Sequence, residues 1–326
     1  MKALVYTGPE ALEYRETPDP RLGAGEVLVN VESVGICGSD MHAYLGHDER
    51  RPAPLILGHE VSGTVDGVRM TINPLVTCGE CAKCLAGRNN LCPDRQIISM
   101  SPREGGFAQR IAIPERNCVR VADHMTPDQA ALAEPISCGW HAARIARTQG
   151  PSLAVEANAL VFGGGAIGLG AALSLRAQGI EDVLLVEPNA ERRRYIELRC
   201  DQATAAPNDL PSDYAADIVI DGVGIPASRA QSSKLARPGG VIAHIGLGSA
   251  EGGLDLRRMT LQEITFVGSY TYTAADFRET AAAMFDGRLG KLDWIEVRPL
   301  SDGPRAFADI RAGRVAAPKI ILKPEP

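Results

Sequence analysis

Three groups of residues have types and spacings that can do chemistry. The stretch TCGECAKCLAGRNNLC sets Cys78, Cys81, Cys84 and Cys92 in a C-x2-C-x2-C-x7-C pattern, using four of the chain's eight cysteines. Four thiolates gathered by tight local turns satisfy a tetrahedral zinc completely and leave no position for water or substrate, so this loop predicts a structural metal site. The second group is scattered: GICGSDMH supplies Cys37, Ser39, Asp40 and His42, LGHEVSG supplies His59 and Glu60, and LAEPISCGWH supplies Glu134. A catalytic zinc needs three protein ligands of mixed N, S and O type and one open position, which Cys37, His59 and either Glu60 or Glu134 would provide. The third group is GGGAIG, where Gly163, Gly165 and Gly168 form G-x-G-x-x-G around Ile167. Glu187 follows at the end of the next apolar run, the spacing at which a carboxylate binds ribose hydroxyls.

These residues need elements to position them. Up to about residue 120, MKALVY, EVLVNVESVGI, EVSGTV, FAQRIAI and NCVRV alternate with Gly/Pro punctuation, the pattern of antiparallel β structure with loops. Around residue 150, TQGPSL reads as a linker. Beyond it the texture changes to ALVFGG as a buried strand, AIGLGAALSLRAQG as a helix, DVLLVEP as a strand and ERRRYIELR as a charged helix. DIVIDGVG, a helix over SRAQSSKLA, GGVIAHIGLG and EITFVGSY continue the alternation. Parallel strands need helical crossovers, so this half predicts a doubly wound parallel sheet whose Gly-rich turn opens a helix against a dinucleotide pyrophosphate. A carboxylate at Glu187 repels a 2′-phosphate and favours NAD over NADP, with Arg192 able to reach the adenosine ribose. The tail predicts a helix over TAADFRETAAAMFDGRL, a short helix, and a final strand at APKIILKP.

A length of 326 residues implies two domains. Residues 1–135 with 272–326 are expected to form a catalytic domain and residues 136–271 a cofactor domain. With 34 Lys+Arg against 40 Asp+Glu the net charge is -6, and no basic run could follow a phosphate backbone, which argues against nucleic acid. The start MKALVYTGPEALEYRE lacks signal-peptide character and no window is apolar enough to cross a bilayer, so the expected setting is cytoplasmic. In a reducing compartment the cysteines read as ligands or small buried groups; Cys118, Cys138 and Cys200 take the second reading. His47, His124, His141 and His244 lack metal spacing and read as structural or surface groups.

GICGSDMH, LGHEVSG, CGECAKCLAGRNNLC, LAEPIS and VFGGGAIGLGA, in that order, resemble the zinc-containing medium-chain alcohol and polyol dehydrogenases, and most of all the sorbitol, threonine and butanediol dehydrogenases. The resemblance covers essentially the whole chain. It implies a GroES-like catalytic domain beside a Rossmann domain, two zinc ions per subunit, and a homodimer or homotetramer acting on a small alcohol. It makes Cys37 and His59 fixed ligands of the catalytic zinc, with Glu60 or Glu134 completing the set. Asp40 then orients the ligand histidine, while Ser39 and His42 resemble the relay that carries the alcohol proton to solvent as hydride passes to NAD. Two stretches are shorter than in the family: TVDGVRMTINPLVT before the cysteine loop, and LPSDYAA before DIVID, where a crossover helix would sit. The other readings are a binding module built on the zinc loop, disfavoured by the acidic charge, and a cofactor-binding homologue altered in catalysis. Tyr44, Arg50 and Tyr270 are the expected lining of the substrate site.

Overall fold

The computed structural model describes residues 1–149 and 157–325. The chain forms two compact units, one of Met1–Glu134, Thr273–Phe285 and Ile295–Pro326, the other of Pro135–Tyr272 and Asp286–Trp294. In the first, the strands are β1 (Lys2–Gly8), β2 (Ala11–Glu16), β3 (Glu26–Gly35), β4 (Leu55–Ile56), β5 (Glu60–Val65), β6 (Val68–Ile72), β7 (Leu75–Val76), β8 (Gln96–Ile97), β9 (Arg110–Pro114) and β10 (Cys118–Arg120). Helices α1 (Gly38–Tyr44), α2 (Ala82–Leu85) and α3 (Pro127–Ala130) interrupt them, and α4 (Ala133–Gln149) runs on into the second unit. Thr148 and Gln149 of the expected linker end α4; the rest of TQGPSL lies outside the described residues.

The second unit holds β11 (Asn158–Phe162), α5 (Ala166–Ala177), β12 (Asp182–Val186), α6 (Ala190–Cys200), β13 (Thr204–Ala205), β14 (Ala216–Asp221), α7 (Pro226–Leu235), β15 (Ala236–His244), α8 (Leu256–Leu261) and β16 (Thr265–Gly268). These strands form one parallel sheet in the order β13-β12-β11-β14-β15-β16. The order reverses beside β11, the switch point at which open α/β sheets take their ligands. Near-continuous apolar runs such as ALVF and DIVI suit strands covered on both faces. Residues 206–215, between β13 and β14, form turns instead of a crossover helix. Leu210 and Tyr214 of that stretch pack on the core of Leu160, Val219 and Ile242, filling part of the space a helix would occupy.

Back in the first unit come α9 (Ala274–Phe285), β17 (Ile295–Pro299), α10 (Gly303–Arg311) and β18 (Lys319–Lys323). The β17 strand is absent from the expected helix, short helix and strand. It is short and only half-buried, and it pairs parallel with β18 at the sheet edge, so its apolar signal is weak. The large sheet runs β10-β6-β5-β3-β18-β17, with β9 also paired to β3. Asp66 and Gly67, both at positive φ, close the shortened β5–β6 hairpin where Val65 faces Val68. That is the type I′ turn Asp-Gly favours. Two readings of small residues need correction: Cys200 is buried, but Cys118 and Cys138 are only half-buried.

Candidate active site

The β3 strand delivers Cys37 just past its end, at the N-cap of α1, and β5 begins at Glu60 immediately after His59. Because Gly35 pairs with Glu60 across β3 and β5, the register alone brings the three together. One ligand atom from each of Cys37, His59 and Glu60 lies within 4.8 Å of the others. Glu134, buried in the first turn of α4, does not join this group. Its carboxylate is felt instead through its charge on Lys319.

Lys319, at the start of β18, is a ligand-site neighbour the sequence reading did not name. The amide of Ile36 donates to the carbonyl of Ile320, and this docking of β18 beside β3 carries Lys319 under the cluster. Its ammonium donates to Glu60 Oε1 at 2.6 Å and to the carbonyl of Ile36 at 2.7 Å, with both side chains at most 4 % exposed. Burial alone would drive the proton off Lys319, but the negative charges of Glu60 and Cys37 outweigh it and raise the pKa. The other oxygen, Glu60 Oε2, is buried without a hydrogen-bond partner, as expected of an atom facing an ion. It lies so close to Gly35 that a Cβ there would come within 1.9 Å of it.

Asp40, fully buried, accepts from the amide of Cys37 at 2.9 Å and from that of Gly58 at 3.2 Å. Its Oδ1 lies 3.6 Å from His59 Nδ1, and Ser99 Oγ lies 3.2 Å from the same nitrogen. With Nδ1 facing these two oxygens, Nε2 is the nitrogen left for Cys37 and a cation. Burial opposes charging the His59 ring, yet the Asp40 and Cys37 charges win and hold its pKa well above the usual value. Burial likewise opposes charge on Asp40, but His59 and then Arg51 pull its carboxyl below the ordinary range. The site thus gathers negative charge around one point, the arrangement that binds a cation in place of a proton.

Ser39 and His42 sit three residues apart on α1, where side chains share a face. His42 is exposed, its ring 6.5 Å from that of His47. Ser39 meets a second group the sequence reading did not name, the guanidinium of Arg51, which donates to its carbonyl at 3.0 Å and reaches its Oγ at 3.4 Å. Of the expected lining residues, Arg50 points outward and pairs with Asp48, and Tyr44 is buried against Phe307 with ring centroids 5.2 Å apart. Neither suits that role; Tyr270 is half-buried.

The four loop cysteines form a second cluster. Sγ of Cys78 lies 3.5 Å from that of Cys92 and 3.9 Å from that of Cys84. A tetrahedral zinc with Zn–S bonds of about 2.3 Å sets its sulfurs about 3.8 Å apart, so the loop fits that ion, whereas a disulfide needs about 2.05 Å. The backbone amides of Cys81 and Glu80 bring the Cys78 thiol down to about 7, while desolvation pushes Cys84 up to about 11.

At the Gly-rich turn, Gly165 caps α5 and Ile167 lies in its first turn. A Cβ on Gly168 would come 1.8 Å from the carbonyl oxygen of Gly163, so only glycine lets α5 pack this closely on β11. Glu187, buried past β12, accepts from the amides of Gly164 and Asn189, each at 2.8 Å. Arg192 donates its amide to the Asn189 cap, and Arg193 binds the carbonyls of Glu187 and Pro188.

The family models for the alcohol dehydrogenase GroES-like domain and for zinc-binding dehydrogenase match residues 23–123 and 166–286. A sorbitol dehydrogenase of Bacillus subtilis is 31 % identical over 296 residues, 83 % of this chain and 82 % of that protein. The chain belongs to the zinc-binding, GroES-like alcohol dehydrogenases. An L-galactonate-5-dehydrogenase of Escherichia coli is 29 % identical, with 89 % and 88 % of the two chains covered. A solved Escherichia coli oxidoreductase/dehydrogenase of unknown specificity superimposes with a TM-score of 0.90 at 25 % identity, covering 100 % of this chain and 99 % of that one. This dehydrogenase therefore carries a GroES-like domain and a parallel, Rossmann-type sheet. Among its described residues no helix is long and apolar enough to cross a membrane.

Proposed function

We propose that this dehydrogenase oxidises a polyol or secondary alcohol with NAD, using a zinc held by Cys37, His59 and Glu60. The observation that carries the reading is the mixed-donor cluster of half-buried Cys37 with buried His59 and Glu60, one Glu60 oxygen being orphaned, in a chain that also bears a Gly-rich nucleotide turn. Its relatives' names, sorbitol dehydrogenase and L-galactonate-5-dehydrogenase, supply the substrate class. Zinc bound there would act as a Lewis acid that lowers the pKa of the alcohol and steadies charge on its oxygen.

The chain's own residues do the rest. Lys319 balances the Glu60 charge and fixes the carboxylate's direction. Asp40 supports the α1 start and the turn before His59 through two backbone amides. Ser39 takes the alcohol proton and passes it toward His42, whose exposure opens to solvent. Gly163, Gly165 and Gly168 admit the pyrophosphate at the start of α5, and Glu187 receives the adenosine ribose, with NAD preferred because a 2′-phosphate would meet a carboxylate. A second, structural zinc belongs to Cys78, Cys81, Cys84 and Cys92. Homo-oligomerisation fits the edge position of β16, where Phe266 is exposed, and eight cysteines outside any disulfide suit a reducing, cytoplasmic setting.

Screening sugar alcohols, diols and hydroxy acids for NAD reduction, with and without chelator, tests this reading. Activity on at least one polyol, lost on chelation and restored by zinc, is expected. Uniform inactivity of the zinc-loaded protein would contradict it and leave a homologue that binds cofactor without turning over.

A further inference from the structure

Ser99 lies outside every chemistry-bearing motif of the sequence, yet its hydroxyl is nearer to His59 Nδ1 than Asp40 is, at 3.2 Å against 3.6 Å for Asp40 Oδ1. Asp40 acts on the same ring through its charge, while its oxygens also accept from the amides of Cys37 and Gly58. Ser99 is fully buried and adopts φ +71, a left-handed conformation uncommon for a residue with a side chain. Such backbone persists only where surrounding contacts over-determine it, and it concentrates at functional sites.

The contact that holds it comes from Arg51, itself 2 % exposed. Arg51 Nε donates to the Ser99 carbonyl at 2.9 Å, while Nη1 donates to the Ser39 carbonyl and to Asp48 Oδ2, each at 3.0 Å. One planar fork thus ties the Ser99 loop to the start of α1, the helix that follows Cys37 and carries Asp40. Resting on the reading that Cys37, His59 and Glu60 hold zinc, we propose that Ser99, clamped by Arg51, is a positioning residue. It accepts the Nδ1 proton of His59 and so fixes the ring with Nε2 toward the metal.

Ser99→Gly tests this, because glycine accepts φ +71 without strain and the substitution removes only the small CH2OH group that bears the hydroxyl. Zinc retention is measured by competition with a chromogenic chelator, with Cys37→Ala marking the equivalent that belongs to the cluster. The Ser99→Gly chain is expected to lose that equivalent about tenfold more readily than the unaltered chain. Its zinc-free unfolding midpoint should stay equal or rise, and the cysteine-loop equivalent should be untouched. Unchanged retention of the Cys37-dependent zinc would overturn the assignment. So would a drop in the zinc-free unfolding midpoint, which would make Ser99 merely structural. If no zinc in the unaltered chain depends on Cys37, it is the metal reading itself that falls.

Discussion

The two cysteine-bearing clusters solve opposite problems. The loop from Cys78 to Cys92 gathers four like donors from one contiguous stretch, three of them half-buried. The Cys37, His59 and Glu60 cluster draws three unlike donors from two strand ends, and Asp40, Arg51 and Lys319, each at most 5 % exposed, surround it with charge. A closed set of four thiolates fixes an ion and ends there. A set of three leaves a position open, but its unlike donors must be aimed by neighbours, and the buried charges are what aiming costs here.

The sharpest way to break that contrast is His59→Ala. It should abolish turnover while leaving NADH fluorescence titrations near those of the unaltered protein, since the Gly-rich turn proposed for the nucleotide belongs to the other unit. Loss of NADH binding in a folded variant would contradict the separation of tasks. Next in size is Lys319→Met, which strands the Glu60 carboxylate without its counter-charge. Denaturant unfolding of the zinc-free protein should lose about 3–5 kcal/mol, with much of it recovered when Glu60 is also replaced by Leu. A loss below about 1 kcal/mol would mean the pair is not the anchor described here.

Gly168→Ala forces a Cβ against the Gly163 carbonyl and should cost about 1–3 kcal/mol of stability together with NADH affinity, read by calorimetry and titration. Full NADH affinity in that variant would argue against the Gly-rich turn as the cofactor site. The smallest perturbation changes no residue. In zinc-free protein the thiolate is the form that alkylates, so Cys78 labelling should rise with pH through about 7 while Cys84 stays unreactive until about 11. Peptide mapping after brief iodoacetamide treatment would follow both, and equal labelling at pH 7.5 would count against the amide contacts assigned to Cys78.

What could be read beforehand follows the same division. The cysteine loop and G-x-G-x-x-G are contiguous, and their spacing carries the geometry. Cys37, His59 and Glu60 could be named because each has a ligating side chain, but the choice of Glu60 over Glu134 for the cluster depends on the pairing of Gly35 with Glu60, which only the folded sheet supplies. The supporting residues were hidden for physical reasons. Arg50 and Arg51 are identical neighbours, and only the fold turns one side chain outward at 64 % exposure and leaves the other at 1 %. Ser99 carries an ordinary hydroxyl outside every motif, and only the fold sets it 3.2 Å from His59 Nδ1. Lys319 left a faint signal, a lysine opening the apolar run KIILK, where a buried strand would be expected to avoid charge.

The central claim is that turnover belongs to the scattered cluster and the contiguous loop only holds metal. The direct test is zinc per chain and NAD-dependent polyol oxidation in Cys37→Ala and Cys81→Ala, assayed side by side on folded protein. Each variant should lose one zinc, with turnover abolished in Cys37→Ala and retained in Cys81→Ala. Retained turnover in Cys37→Ala, or its abolition in a folded Cys81→Ala chain that still holds the Cys37-dependent zinc, would contradict the claim.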